Sequence, residues 1–582
     1  MPREVDQIVK MSDKILEIYF GTDNLKLAYN RIVYWPERLV KDRFGIHAFG
    51  AQLDKNVRQL SDKIISGNYS PQRAFKYYEP KSSGTQRTKT LLMIEDAMVY
   101  QAIANVIAAR NYDLLAEHDD FVFGSVLLPD TKIGIELLNQ ENPKYFFFKF
   151  WKSLFVRFKD SVIKAIEHDK ATHKFETDIT GFFDSIPHYN LMLALSNQFE
   201  VEDEILDMLS FCLNAWSGTK ESSTPGVGIP QGPQPSYLLA NLLLYPLDKQ
   251  LISEAFKYYR YMDDIKIYGY SKDELQDVLV LIDNYMKGNG LSINAKKTGI
   301  TTIEKDKEDA TVKELKRFEV LGNVYTGDET IINELPKGSL EEKIKKTFLE
   351  LSDQSPDNQD KSDAIKQTES ITDPDKIIAF WEKEISEVEK ELPALFKTDS
   401  LELADPDNTN DIDFIRLSAK YGTAVRSLSE FKQAKASEQL LAYWLFALKK
   451  FYWRASNFTL TLQYYKDNKK LKEELISIYL NDKNYECYRY HIITCLTYNF
   501  KYTDRNLREF YRFLRAENSE LVRYALYCML IKHSNDLQLQ STLKSHLSNE
   551  TNNYLKLITL DYWKKNTHTV NTMDELVKQL GL

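Results

Sequence analysis

Cysteine is scarce in this 582-residue chain: Cys212, Cys487, Cys495 and Cys528 are the whole complement, and no two are spaced as CxxC. Four such residues are too few for a disulfide framework. Long apolar runs are missing as well, and none approaches the ~20 residues that a membrane span needs. The first stretch, MPREVDQIVKMSDKILEIYF, is charged throughout and is no secretory signal. These absences predict a cytoplasmic protein without a membrane partner. What is present is an ordinary globular composition, 43% apolar and 28% charged. The length suits about two to four domains.

A net charge of −9 argues against nucleic acid until its distribution is considered. Residues 1–110 sum to +5. Residues 301–410 hold 15 Lys and Arg against 28 Asp and Glu, and residues 411–582 hold 26 against 18. The acidity is thus concentrated in the middle. Basic ends fit a chain that touches phosphates at both ends, although helices with solvated basic faces give the same count.

There is no exact internal repeat. Residues 1–110 read as mainly helical, with a strand pair around RAFKYYEPKSSGTQRTKTLLMI turned by Ser-Ser-Gly. The pattern predicts a strand at Lys174–Ile179, a helix from near Pro187 and an amphipathic helix at 271–287. LSINAKKTGITTI and RFEVLGNVYTG read as further strands. Beyond about 335 the pattern is almost wholly helical, with SDQSPDNQDKSD and ADPDNTNDID as linkers or loops. From 411 onward, pairs of helices such as NSELVRYALYCMLIKHSND and NYLKLITLDYWKKN look like irregular HEAT-type repeats.

The chemistry is carried by YYRYMDDIKIYGY, residues 258–270. Two short strands flank Asp263-Asp264, which places both carboxylates in a turn at one sheet edge. Such a turn is either a solvated hairpin or a metal site. Asp178, at the end of KFETDITGFFDSIPH, supplies a third carboxylate from a neighbouring strand. Three hard oxygen ligands suit a two-metal Mg²⁺ site, in which one ion activates a hydroxyl and the other steadies leaving pyrophosphate.

TDITGFFDSIPH, GIPQGPQPSYLLANLLL and YRYMDD resemble, in order and spacing, the palm motifs of reverse transcriptases. IISGNYSPQRAFKYYEPKSSGTQRTKTLLMIEDAMVYQAI resembles their fingers, and LSINAKKTGI and FEVLGNVY resemble the last two palm motifs. The likeness spans roughly residues 20–335. It implies an α+β right-hand polymerase with fingers and palm, followed by an all-α, HEAT-like C-terminal domain. The implied boundaries are 1–160 for N-terminal helices and fingers, 161–335 for the palm, 336–410 for an acidic thumb-like connection and 411–582 for the basic helical domain.

The resemblance assigns Asp178, Asp263 and Asp264 to catalysis and to the two Mg²⁺ ions (or Mn²⁺), with the Ile179 carbonyl as a further ligand. Arg87 and Lys81 would grip the triphosphate, or else belong to a solvated basic hairpin. Phe183 would form the wall beneath the sugar that selects deoxynucleotides, or one of Phe182 and Phe183 is plain core. Gln231 would line the nascent base pair. Lys297 would stand near the leaving group or merely in solvent. His188 is expected to serve local structure only.

Departures narrow the class. The fingers signature RPLGIP of intron-encoded enzymes is here RTKTLLM, which keeps Arg87 and loses the prolines. No His/Cys endonuclease or RNase H acid cluster follows the palm motifs, and a pI of about 5.7 suits an intron maturase poorly. Arg523 and His533 are too far apart for a HEPN ribonuclease, and the C-terminal cysteines read as core rather than as a nitrilase nucleophile. What remains resembles the bacterial defence-associated class, the abortive-infection and unknown-group enzymes. That class implies a DNA polymerase in antiphage defence, templated by RNA or DNA or untemplated. A maturase-type RNA-binding enzyme and a non-catalytic palm scaffold stay as alternatives. The implied partners are dNTPs, a DNA product, a template or associated non-coding RNA, and a second copy of the chain in a homo-oligomer. Relatives of the abortive-infection type are similar to protein-primed enzymes, in which a tyrosine stays attached to the DNA. Tyr465, Tyr502 and Tyr554, read as near mobile segments, are candidates among the 35 tyrosines.

Overall fold

The computed structural model describes residues 12–34, 46–129, 145–304 and 374–566, apart from short gaps at 150, 223, 255, 399, 407–408 and 431–435. The expected strand RFEVLGNVYTG and the polar stretch SDQSPDNQDKSD lie outside the described residues. Two compact units make up the chain. Met1–Tyr77, Thr88–Val312 and His546–Leu582 form the first, and Tyr78–Arg87 with Lys313–Ser545 form the second.

The first unit begins with helices α1 (Asp13–Phe20), α2 (Thr22–Tyr34), α3 (Ile46–Gly50) and α4 (Leu53–Ile65). Strands β1 (Phe75–Pro80) and β2 (Gln86–Leu91) follow as the expected hairpin. Helix α5 (Ile94–Arg110) is buried on nearly every side, and it packs against α1 and α2. An apolar surface all round is what an α-helix needs to stand inside a core rather than on it. After α6 (Tyr112–Ala116) and α7 (Trp151–Ile163) comes the sheet that organises the site.

That sheet is antiparallel in the order β4-β5-β3-β6, with β3 at His173–Asp178, β4 at Lys257–Tyr261, β5 at Asp264–Gly269 and β6 at Gly299–Thr302. Register sets Phe175 opposite Ile267 and Thr177 opposite Ile265, so these four buried residues share one face. The alternate residues Lys174, Glu176 and Asp178 of β3 share the other face with Lys266 and Asp264 of β5. Helices α8 (Phe182–Ser185), α9 (His188–Gln198), α10 (Asp203–Trp216) and α11 (Gln234–Ser253) lie between β3 and β4 in sequence, and α12 (Lys272–Gly288) packs on β3 and β5.

Three expectations change. Asp264 is not in the turn but opens β5, because its backbone pairs with Asp178 on one side and Tyr261 on the other. Both Phe182 and Phe183 are buried, not one of them alone, and they stand in the single turn of α8. The stretch LSINAKKTGITTI is only partly strand, since Asn294 O accepts the Lys297 N–H in a turn before β6.

In the second unit the described helices are α13 (Pro374–Ala394), α14 (Asp411–Glu430), α15 (Leu441–Lys450), α16 (Ala455–Leu462), α17 (Lys469–Asn481), α18 (Glu486–Asn499), α19 (Asp504–Ala516), α20 (Glu520–His533) and most of α21 (Leu537–Ser548). ADPDNTNDID is the expected loop up to Asp411, where α14 starts. Packing is regular: α14, α16, α18 and α20 each meet the next in that row, while α15, α17 and α19 pack on the helix that follows them. Helix α18 of that row is accordingly buried almost all round, with Cys487, Tyr488, Ile492, Ile493, Cys495 and Leu496. All four cysteines are free; three are buried and Cys528 is half-buried, so they serve packing. Helix α22 (Asn553–Asn566) belongs to the first unit, where Tyr554 stacks on Phe75 with ring centroids 4.9 Å apart.

The strongest polar constraint in the first unit is a buried ion pair. Arg260 of β4 lies wholly buried, and its Nε donates to Asp248 Oδ1 of α11 at 2.8 Å. Tyr258 and Asn241 complete the cage through their Oη and Oδ1 atoms, at 3.1 and 2.9 Å from the guanidinium. Removing one partner strands the other charge in the core, which costs about 3–5 kcal/mol. Asp248→Ala is therefore expected to lower the urea midpoint, read by tryptophan fluorescence, more than the double change Asp248→Leu with Arg260→Met. Equal losses would show that the charge pairing is not what matters.

Candidate active site

The sheet positions two carboxylates at one edge. β3 ends on Asp178, and Asp263 occupies the turn between β4 and β5. The turn is strained: Met262 has φ +55°, the left-handed region that side-chain-bearing residues rarely adopt. Two contacts account for it. Arg260 Nη1 donates to the Met262 carbonyl at 2.9 Å, tying the turn to the buried ion pair. On the other side, Gly124 approaches so closely that a Cβ there would stand 2.5 Å from the Met262 nitrogen. Glycine at 124 is thus the space in which the turn sits.

Asp178 is held by its own neighbours. Its carbonyl accepts the Asn294 N–H at 2.7 Å, and Lys297 Nζ lies 3.1 Å from its Oδ2. Burial raises the Asp263 carboxyl to about 6, the nearby Asp178 charge pushes the same way, and Lys297 opposes both. Two carboxylates that repel each other at the end of a sheet are short of positive charge. Asp264 is placed differently. Its Oδ1 lies 3.3 Å from Lys266 Nζ, which also donates to Glu176 Oε1 at 2.8 Å. Desolvation raises the Asp264 carboxyl too, with Lys266 working against it.

No group of three or more Asp, Glu, His or Cys side chains converges as metal ligands among the described residues. The donors that do converge fit a hard divalent cation: all are oxygens, and their mutual repulsion is what such an ion relieves. The Ile179 carbonyl is compatible with that role. The bridge from Ile179 to Ile293 is closed by the Asp178 carbonyl and the Thr180 N–H, not by the Ile179 oxygen.

Phe183, Gln231 and His188 are joined through one turn. Phe183 packs edge-on against Tyr237 with centroids 5.3 Å apart, and its carbonyl accepts the Ile229 N–H at 2.8 Å. Ile229 leads into the turn that carries Gln231, whose carbonyl accepts the Thr90 N–H at 3.0 Å. Phe183, Gln231 and β2 are thereby linked. His188 is buried with Nε2 2.7 Å from the Gly228 carbonyl, and it buttresses the same turn. Lys81 and Arg87 lie in the second unit, where Lys81 N–H closes the hairpin turn on Thr85 and Arg87 stands 3.5 Å from Glu79.

The tyrosines named for priming do not sit on loose segments. Tyr465 is buried and donates to the Ser437 carbonyl at 2.8 Å, Tyr502 donates to the Leu496 carbonyl at 2.9 Å, and Tyr554 is buried against Phe75. The Tyr465 and Tyr502 hydroxyls are committed to those carbonyls. Sequence reasoning also missed the buried lysines Lys76, Lys174 and Lys266. The signal was there, since a lysine inside an apolar strand, as in DDIKIYG, must find anions once buried.

Residues 136–325 match the sequence model of the family described as "Reverse transcriptase (RNA-dependent DNA polymerase)". The chain carries a reverse transcriptase domain, and the activity of that domain is nucleotidyl transfer by a DNA polymerase. The search of curated proteins finds no match to this chain. Among solved structures, truncated apo telomerase from Candida tropicalis is 13% identical, covering 44% of this chain and 56% of that one, with a TM-score of 0.29. The longer apo telomerase from the same organism is 11% identical over 79% of this chain and 88% of that one, with the same score of 0.29. Telomerase from Candida albicans in complex with a TWJ fragment of telomeric RNA is 10% identical over 76% and 71%, with a TM-score of 0.31. The chain spans little more than half the length of the truncated telomerase, and likenesses this low add nothing to the domain match.

Ionised at neutral pH, Asp263 carries repulsion that folding must overcome. Asp263→Asn is expected to stabilise the metal-free protein by about 1–3 kcal/mol, seen as a melting temperature a few degrees higher in EDTA. Added Mg²⁺ should then raise the melting temperature of the wild type more than that of the variant. A variant that melts lower in EDTA would refute this account of the turn.

Proposed function

We propose that this chain is a bacterial, cytoplasmic DNA polymerase of the reverse transcriptase family that joins deoxynucleotides at Asp178 and Asp263 and acts in antiphage defence. The observation that carries the catalytic part is the register that sets Asp178, the end of β3, opposite Asp264, the residue that follows Asp263 of the β4–β5 turn, within the matched domain. Two bound Mg²⁺ ions would make the attacking hydroxyl a better nucleophile and neutralise the leaving pyrophosphate. The chain's own part is placement. Asp178 and Asp263 hold the ions, with the Ile179 carbonyl beside them, and Lys297 offers an ammonium next to Asp178. Phe183, fixed by Tyr237 and Ile229, forms the wall under C2′ of the sugar, and Gln231 lines the base pair. Arg87 and Lys81 are assigned to the triphosphate on the sequence match alone.

The second unit supports the defence reading. Its inner row of helices, each with an outer partner, has the stacking of an α-solenoid and favours a HEAT-like repeat. On α19 the exposed Arg505, Arg508, Arg512 and Arg515 recur at helical spacing and form one stripe. Such a stripe suits the phosphates of a template RNA or a DNA product. A large helical unit in a chain of acidic pI, without endonuclease or RNase H signatures, fits a defence enzyme better than an intron maturase.

Asp263→Asn with Asp264→Asn is expected to reduce incorporation of deoxynucleotides by several orders of magnitude while the circular dichroism spectrum persists. Extension near the wild-type rate would overturn the site. Phage protection surviving in that variant would instead favour a scaffold. Phe183→Ala should narrow the preference for deoxynucleotides over ribonucleotides, at some cost in stability from the lost packing. Unchanged discrimination in a folded variant removes Phe183 as the wall. Protein priming predicts a nucleotide that survives denaturation and DNase on the purified chain. Its absence, with efficient extension of an added primer, would exclude a tyrosine primer.

A further inference from the structure

Beneath the two converging carboxylates lies a group of four charges that the proposed chemistry does not use. Lys174 and Glu176 stand on β3, and Asp264 and Lys266 on β5, all on one face of the sheet. Register sets Glu176 directly opposite Lys266, and Asp178 opposite Asp264. Lys266 Nζ lies 2.8 Å from Glu176 Oε1 and 3.3 Å from Asp264 Oδ1, and Lys174 Nζ lies 3.3 Å from Glu176 Oε2. Both lysine side chains are more than nine-tenths buried. A buried ammonium is stable only when anions surround it, so Lys266 cannot release its partners without cost.

Two cations and two carboxylates make this quartet neutral. The accounting separates the three aspartates of the site. Asp264 is held inside the quartet by Lys266, whereas Asp178 has the exposed Lys297 beside it and Asp263 stands in the turn. We propose that Lys266 is a positioning residue that draws Asp264 out of the metal pair, so that Asp178 and Asp263 alone carry the ions in the absence of nucleotide. This rests on the two-metal reading above. The consequence is a site of lower negative charge than three free aspartates would make. It binds divalent ions weakly by itself and becomes complete when the phosphates of a nucleotide add their oxygens. Metal loading is thereby tied to substrate.

The test is Mn²⁺ binding, followed by electron paramagnetic resonance on the full-length protein with MnCl₂ alone and no nucleotide. Lys266→Met keeps the stem and removes the charge; freed Asp264 should tighten Mn²⁺ by roughly three- to thirtyfold. In that background Asp264→Asn should reverse the gain, a coupling that a double-mutant cycle reads directly. In the otherwise native chain, Asp264→Asn should weaken Mn²⁺ by at most about threefold and Asp263→Asn by about tenfold or more. The last comparison stands even if Lys266→Met fails to fold. The proposal is overturned if Asp264→Asn weakens Mn²⁺ as much as Asp263→Asn, or if folded Lys266→Met binds Mn²⁺ as the wild type does. If Asp178→Asn and Asp263→Asn both leave Mn²⁺ binding unchanged, the two-metal reading fails and the proposal with it. Lys266→Arg, which keeps the charge, should bind as the wild type does, and a gain equal to that of Lys266→Met would count against the charge argument.

Discussion

The guanidinium of Arg260 is the point from which the site is built. It is wholly buried, and it meets Asp248 through its Nε while its Nη1 reaches both Asn241 and the Met262 carbonyl. A helix, a strand and a turn are therefore fixed by one side chain. The left-handed Met262 costs energy in isolation, and a turn of that kind persists only where its surroundings over-determine it. Arg260 supplies the constraint from one side and Gly124 the room on the other. Asp263 follows immediately, so its direction is set by contacts that have no part in the chemistry.

The sheet displays two treatments of charge. Arg260 with Asp248, and Lys174 and Lys266 with Asp264 and Glu176, are balanced sets. Balanced buried charge contributes little net stability and much conformational definition. Asp178 and Asp263 are the unbalanced set, two carboxylates with the one exposed cation Lys297 beside Asp178. In the proposed function the chemistry falls where the charge is left over, and the balanced groups around it leave those carboxylates unpaired with one another.

Much of this was legible in the sequence, for reasons that can be stated. The aromatic and β-branched runs on either side of Asp263-Asp264 mark β4 and β5, and the turn between them is local, so the hairpin could be placed by pattern. The amphipathic helix after Tyr270 was equally plain, because Ser271 caps it and Leu275, Val278, Ile282 and Met286 mark its buried face. What could not be read was register. Whether Asp264 belongs to the turn or the strand depends on pairing with Asp178, a residue far away in sequence. The same holds for Phe182 and Phe183, whose single helical turn is too short to show a period. Lys266 was visible as an oddity, but its partner Glu176 lies on another strand.

The second unit shows how net charge misleads when it is summed over a chain. Its helix α18 buries nearly every residue, so the charge it carries inside must be paired, as Arg489 is with Glu517. Charge is then forced outward onto the helices that face solvent. On α19 only Leu507, Phe510 and Leu514 are buried, and the arginines occupy the opposite surface. An overall charge of −9 is thus compatible with a locally basic helix, because electrostatic attraction is felt over about one Debye length, roughly 8–10 Å, and not over the molecule. Whether such a chain binds nucleic acid is decided by where its arginines stand, and helix packing decides that.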